Sequence, residues 1–150
     1  MRILLQRVSR ASVSVSGKAI STIGQGLLLF VGFRVGDDGS IVTELAKKVA
    51  NLRIFADREG KMNLSVLELG LSCLVVSQFT LYGDTKKGNR PSFIAAERPE
   101  AAELLYKNFI DELGSLLGMS KIQTGRFGAM MEVESINDGP VTLILEKCID

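Results

Sequence analysis

GLLLFVGF, residues 26–33, is the stretch on which the fold turns. Its apolar residues occupy both faces of an extended chain, so it reads as a central strand covered above and below. On its N-terminal side ASVSVSG (11–17) alternates instead. Val13 and Val15 share one face and serines the other, which predicts a half-buried strand ending at a Gly17-Lys18 turn. On its C-terminal side GDDGS (36–40) supplies a loop and a helix start. Ile41, Val42, Leu45, Ala46, Val49 and Ala50 then recur at helical spacing up to Leu52, with Lys47 and Lys48 facing outward.

The same reading extends to the rest of the chain. LRIFAD (52–57) is a short strand, and FADREGKMNLS (55–65) reads as a hairpin with its turn at DREGK. SCLVVSQFTLY (72–82) is a strand whose apolar centre becomes polar at Ser77 and Gln78. A Gly- and Lys-rich loop, GDTKKGNRPS, follows. Pro99 sits where a helix would begin, Ala101, Leu104, Leu105, Phe109 and Leu113 form its stripe, and Gly118 terminates it. KIQTG, MMEVESI and VTLILEK complete the chain as strands, with NDGPVT (137–142) as the turn before the last. About seven strands and two main helices without regular alternation predict an α+β fold in a single domain spanning residues 1–150.

The hydrophobic fraction of 46% with 3 prolines argues for a folded core. The 18 basic and 17 acidic residues give a net charge of +1, which provides no global attraction to nucleic acid or anionic membrane. Local patches remain open: Lys86, Lys87 and Arg90, or Arg2, Arg7 and Arg10. The start, MRILLQRVSR, is too short in apolar residues for a signal-peptide core. LLLFV (27–31) falls far below the roughly 18 residues of a spanning helix. A soluble cytoplasmic protein is expected, with Cys73 and Cys148 reduced and no metal site or cofactor. There is no histidine. That absence removes imidazole acid/base chemistry and histidine-activated nucleophiles.

Four segments are candidates for chemistry. Ser77, Gln78, Phe79 and Thr80 lie where a strand gives way to a loop, a usual place for a site, although polar residues there also simply cap sheets. Thr80 as a nucleophile would need a base that no pattern identifies. TGRFGAMM (124–131) combines glycines with Phe127 and two methionines, which suits a bend beside an apolar pocket. FADREGKMNLS is a weaker signal. In NDGP, Asp-Gly favours a tight turn, and Pro140 lacks an N–H for a ladder. About 5–6% of X-Pro bonds are cis, so the residues alone read as an ordinary turn.

Taken in order, ILLQRVSRASVSVSG, GLLLFVGF, LRIFADREGKMNLS, SQFTLYGDTKKGNRPSF and TGRFGAMMEVESINDGPVT closely resemble the D-aminoacyl-tRNA deacylase family from end to end. The paired motifs SQFTL (Ser77 to Leu81) and GPVT (Gly139 to Thr142) carry the resemblance. It implies a curved, barrel-like mixed sheet and a homodimeric hydrolase that cleaves the ester between a D-amino acid and the 3′ terminal adenosine of tRNA. It further implies a cis Gly139-Pro140 bond that enters the partner subunit's pocket and blocks L side chains with main-chain atoms. Glycine, lacking a side chain, would escape that filter. Ser77, Gln78, Phe79 and Thr80 would form the catalytic segment, with amides near Phe79 and Thr80 holding the oxyanion and the substrate's 2′-hydroxyl assisting. Thr80 as nucleophile is the alternative mechanism. Phe127, Gly128, Ala129 and Met131 would line the adenosine pocket, and Lys86, Lys87 and Arg90 would meet tRNA phosphates. Position 130 departs from the family pattern, carrying Met130 in place of Asp. A non-catalytic RNA-end binding module of the same fold is therefore the rival expectation.

Overall fold

The structure is a computed structural model and describes residues 1–148. In chain order the elements are β1 (Arg2–Val15), β2 (Lys18–Ile23), β3 (Gly26–Gly32), α1 (Gly39–Asn51), β4 (Phe55–Ala56), β5 (Met62–Leu64), α2 (Val66–Leu69), β6 (Ser72–Ser77), α3 (Pro99–Leu117), β7 (Ile122–Thr124) and β8 (Glu132–Glu146). β3 is central, as its two apolar faces predict. It pairs antiparallel with β1 and parallel with β6. Leu27, Leu29 and Val31 join the core beneath α1 and α3, while Leu28 joins Val8, Val13, Leu74 and Val76 on the other face. Each such side chain contributes about 1.5–3 kcal/mol when fully buried.

The sheet runs β2-β1-β3-β6-β7, with β8 on the free edge of β1. β1 is long enough to serve three partners: its first half pairs with β3, its second half with β2, and β8 follows nearly its whole length. Ser21 Oγ donates to the Thr124 carbonyl, tying β2 to β7 and curling the sheet into a nearly closed barrel. α1 and α3 pack together on one face through residues such as Leu45, Val49, Tyr106, Phe109 and Leu113. Asp38 caps α1, its carboxylate accepting from the amides of Ser40 (2.9 Å) and Ile41 (3.3 Å). α3 starts at Pro99 and stops at Gly118, the two residues that mark it in the sequence.

Three elements differ from the expected ones. The strand expected over 72–82 ends at Ser77, and Phe79–Tyr82 forms a 3-10 turn. The Gln78 amide still donates to Val31 O at 2.7 Å, but β3 stops at Gly32, so no ladder remains for the chain to follow. The close approach there also demands a glycine, since a Cβ on Gly32 would lie 2.7 Å from the Gln78 carbonyl oxygen. The two strands expected at the C-terminal end are one, β8, running straight through NDGP. The unexpected α2 is nucleated by a capping box between Ser65 and Glu68. Among the described residues no helix is long and apolar enough to cross a membrane.

Candidate active site

A cavity of about 770 Å³ opens at the end of β6, and three chain segments wall it. Ser77, Gln78, Phe79 and Thr80 make the first wall, where β6 ends and the chain turns. Phe127, Gly128, Ala129 and Met131, in the bend between β7 and β8, make the second. The two segments are nearly fifty residues apart in sequence, and the fold brings them together. Met130 stands at the mouth, 91% exposed, so its apolar side chain packs against little.

The third wall is one that sequence reasoning missed. Phe93, Ala96, Glu97, Arg98 and Pro99 hang beside β3: Val35 N donates to Ala95 O at 3.1 Å and Glu97 N to Phe33 O at 2.9 Å. The Glu97 carboxylate accepts from the amides of Gly36 (3.3 Å) and Arg98 (2.8 Å), which pins the segment. Phe93 meets Phe79 edge-on, with ring centroids 5.2 Å apart. A charged pair directly before a helix-starting proline was the available signal. The hydrophobic stripe of the following helix obscured it.

One buried carbonyl coordinates the walls. Val75 O, two residues before Ser77, accepts from the Tyr106 hydroxyl of α3 at 2.8 Å and from the Gly125 amide at 2.9 Å. The Tyr106 ring also packs against Phe127 at 5.6 Å. Burial pushes the Tyr106 hydroxyl's pKa above the usual tyrosine range, so it stays a donor. Sequence gave no sign of this role, because Tyr106 reads as one more core residue of a helix stripe.

Among the described residues the Thr80 hydroxyl has no hydrogen bond to a base. The Thr80 hydroxyl accepts from the Gln78 side-chain amide. Of the residues lining the cavity only Glu97 and Arg98 are ionisable, and the Glu97 carboxylate is engaged by backbone amides. The amides of Phe79 and Thr80, by contrast, open a 3-10 turn, and the first amides of such a turn have no acceptor within it.

Gly139 and Pro140 do not line this cavity. Their segment is an excursion from the β1–β8 ladder: between Gln6↔Thr142 and Val8↔Asn137, β8 advances five residues while β1 advances two. Pro140 therefore has no ladder bond to forgo, which resolves the conflict that NDGP presents in sequence. Asn137 closes the neck, its Oδ1 accepting from Val141 N at 3.2 Å and its Nδ2 donating to Thr142 Oγ1 at 2.8 Å. Arg7 holds the excursion from below, with Nε donating to Asp138 O (3.2 Å) and an Asp138 carboxylate oxygen at 3.3 Å, and Nη1 donating to Ile54 O (2.6 Å). The Gly139–Pro140 peptide is cis, Gly139 has φ 122°, and both residues are exposed.

The basic residues separate. Arg2 pairs with Glu146 (2.8 Å) and Arg10 with Glu134 (3.2 Å), and Arg7 is only 13% exposed, so the N-terminal arginines form no common patch. Lys86, Lys87 and Arg90 are exposed on the loop between Asp84 and Ser92. Lys86 lines a smaller hollow next to the cavity.

The family profile described as D-Tyr-tRNA(Tyr) deacylase matches residues 4–146. The D-aminoacyl-tRNA deacylase of Chloroherpeton thalassium is 55% identical over 147 residues, covering 98% of this chain and 96% of that protein. The D-aminoacyl-tRNA deacylase of Thermomicrobium roseum is 57% identical, covering 98% and 94%. Among solved structures, the c-Myc DNA Unwinding Element Binding Protein superposes with a TM-score of 0.95 at 41% identity, covering 99% of this chain and 100% of that one. A probable eukaryotic D-amino acid tRNA deacylase shares the fold at a TM-score of 0.84 and 18% identity, covering 96% of this chain and 97% of its own. With the family profile matched over residues 4–146 and relatives of about 55% identity matched along almost its whole length, the chain belongs to the D-Tyr-tRNA(Tyr) deacylase family, enzymes that hydrolyse a carboxylic ester.

Proposed function

We propose that this protein hydrolyses the ester between a D-amino acid and the 3′ terminal adenosine of tRNA, acting as a homodimer that proofreads chirality in the cytoplasm. The observation that carries the reading is a division of parts. Ser77 to Thr80 and Phe127 to Met131 share one cavity, while Gly139 and Pro140 stand exposed outside it on an excursion held by Arg7 and Asn137. A held, outward-facing main chain suits insertion into a second copy's cavity. The apolar character of β8 supports the pairing, since this edge strand exposes Ile136, Leu143 and Ile144.

In the dimer the terminal adenosine lies against Phe127, Gly128, Ala129 and Met131, with the ester carbonyl at the start of the Phe79 turn. Carbonyl oxygens of Gly139 and Pro140 from the second copy meet the substrate's α-ammonium. Fixing the ammonium and the ester carbon leaves one direction for a side chain, and an L side chain collides with the Gly-Pro main chain. Water attacks the ester carbon, and the developing oxyanion accepts from the amides of Phe79 and Thr80, each such donor contributing about 3 kcal/mol. The ester C–O3′ bond then breaks and the 3′ oxygen leaves as a hydroxyl, with the vicinal 2′-hydroxyl assisting the proton transfer. An α-ammonium ester is already activated, so no histidine is required.

Purified protein should cleave D-tyrosyl-tRNA and spare L-tyrosyl-tRNA. Glycyl-tRNA should also be cleaved, because a filter made of main-chain atoms has nothing to strike on glycine. Equal rates on the two tyrosyl enantiomers would refute the reading.

A further inference from the structure

Next to the cavity lies a second hollow of about 280 Å³, lined by Arg2, Arg34, Tyr82, Asp84, Lys86 and Glu146 together with Gly83 and Ala95. The two hollows adjoin. Phe33 faces the cavity and Arg34 the recess; Thr80 the cavity and Tyr82 the recess; Ala96 the cavity and Ala95 the recess. Three backbone segments thus contribute residues to both.

The recess carries three cations against two carboxylates. Glu146 is matched by Arg2 at 2.8 Å, and the Asp84 carboxylate accepts from the Lys86 amide at 2.9 Å. Arg34 and Lys86 form no ion pair among the described residues; the guanidinium of Arg34 instead donates to Cys148 Sγ at 3.8 Å. Two buried polar atoms, Arg2 Nε and the Tyr82 hydroxyl, also have no protein partner among the described residues. Both atoms lie beneath the surface of the recess, where the Arg2 guanidinium stacks over the Tyr82 ring at 4.8 Å, so the cations open to a ligand are Arg34 and Lys86. Burial pushes the Tyr82 hydroxyl's pKa up, reinforced by the negative charges of Asp37 and Glu146, which keeps its proton in place.

We propose that this recess receives a phosphodiester of the substrate RNA, with Arg34 and Lys86 as its cationic contacts and Arg2 and Tyr82 as its floor. The inference rests on the deacylase reading above. A polynucleotide that follows its terminal adenosine out of the cavity and over the shared wall brings one negative charge per nucleotide to the recess. Lys86 is thereby separated from Lys87 and Arg90, which lie on the same loop but line neither hollow.

The test compares two substrates, D-tyrosyl-tRNA and the 3′-D-tyrosyl ester of adenosine, which has no phosphate. For Arg34→Ala/Lys86→Ala, kcat/KM on the tRNA relative to that on the adenosine ester should fall about tenfold, and the log-log salt slope of tRNA binding should lessen by about 1. The charge-preserving pair Arg34→Lys/Lys86→Arg should recover most of both changes, which a folding defect would not. A ratio within about twofold of wild type, or an unchanged slope, overturns the assignment. Inhibition of the adenosine ester reaction by millimolar inorganic phosphate, lost in the alanine pair, would give the recess to a free anion and likewise overturn it. If the wild-type protein cleaves neither substrate, the deacylase reading fails as well, an outcome distinct from failure of the recess alone.

Discussion

Arg7 shows how little a single letter says about its work. In sequence it is one of three arginines near the start, which read as solvated surface before they read as a phosphate patch. Folded, its guanidinium lies beneath the Gly139–Pro140 excursion and bonds the carbonyls of Asp138 and Ile54. Arg7→Ala should lower stability by about 1.5–3 kcal/mol, the range for hydrogen bonds to charged groups. It should also depress D-tyrosyl-tRNA cleavage while leaving the cavity folded, which urea denaturation and steady-state kinetics check together. Arg7→Lys should recover little, because one ammonium cannot replace a planar fork reaching two carbonyls. At Gly139 the backbone has φ 122° and an added Cβ would fall 2.8 Å from Arg7 Nη2. Gly139→Ala should therefore disturb the same excursion. Thr80 makes the opposite prediction: with its hydroxyl accepting from Gln78 and no base beside it, Thr80→Ala should keep kcat within about tenfold of wild type. Loss on the order of 10⁴-fold or more with intact folding would make Thr80 the nucleophile.

Among the elements, the meeting of β6, α3 and the bend after β7 at Val75 O governs the shape of the cavity. Tyr106→Phe should cost about 1 kcal/mol, the net worth of one neutral hydrogen bond. It should raise KM more than it lowers kcat, since the ring still backs Phe127 but the strand end loses its tether. Cys73, on the same strand, is fully buried and its thiol pKa is pushed up to about 12 by burial. It should resist a thiol reagent until the protein unfolds. These elements also mark where sequence was legible. The both-face apolar run of β3 and the helical stripes of α1 and α3 declare themselves, because burial imposes a period that neighbouring residues must share. The end of β6 at Ser77 and the continuity of β8 through NDGP were not legible, because each depends on where another strand stops or how far it advances. The second cavity wall, Phe127 to Met131, was found by its resemblance and glycine content. The third, Phe93 to Pro99, is held by backbone bonds to a loop sixty residues away, and no local pattern records such a partner.

For the whole molecule, the charged and polar groups set a pH window. The carboxyl pKa values of Asp38, Asp57 and Glu68 are lowered, chiefly by hydrogen bonds from the Ser40 hydroxyl, the Lys61 amide and the Ser65 amide respectively. Their contribution is present above the ordinary carboxylate range and is lost as pH falls through the lowered folded values. Cys73, Tyr82 and Tyr106 have raised values, so their contribution is present below the ordinary thiol and phenol ranges and is lost as pH rises through the folded ones. No histidine titrates between these limits. Tm should therefore be level from roughly pH 5 to 8 and fall on both sides, which a calorimetric series checks. A steep change near pH 6.5 would show that another group controls folding.

The proposed division of labour between two copies is open to complementation. One chain would carry Ala129→Trp, filling the cavity, and the other Gly139→Val, spoiling the excursion; each alone should be inactive on D-tyrosyl-tRNA. If Gly139 and Pro140 serve the neighbour's cavity, co-folding the two should create one intact site per mixed dimer, restoring cleavage of the D substrate and continued refusal of the L form. If the mixture stays as inactive as its components while mixed dimers are present, each chain uses its own excursion or none, and the dimer mechanism is wrong.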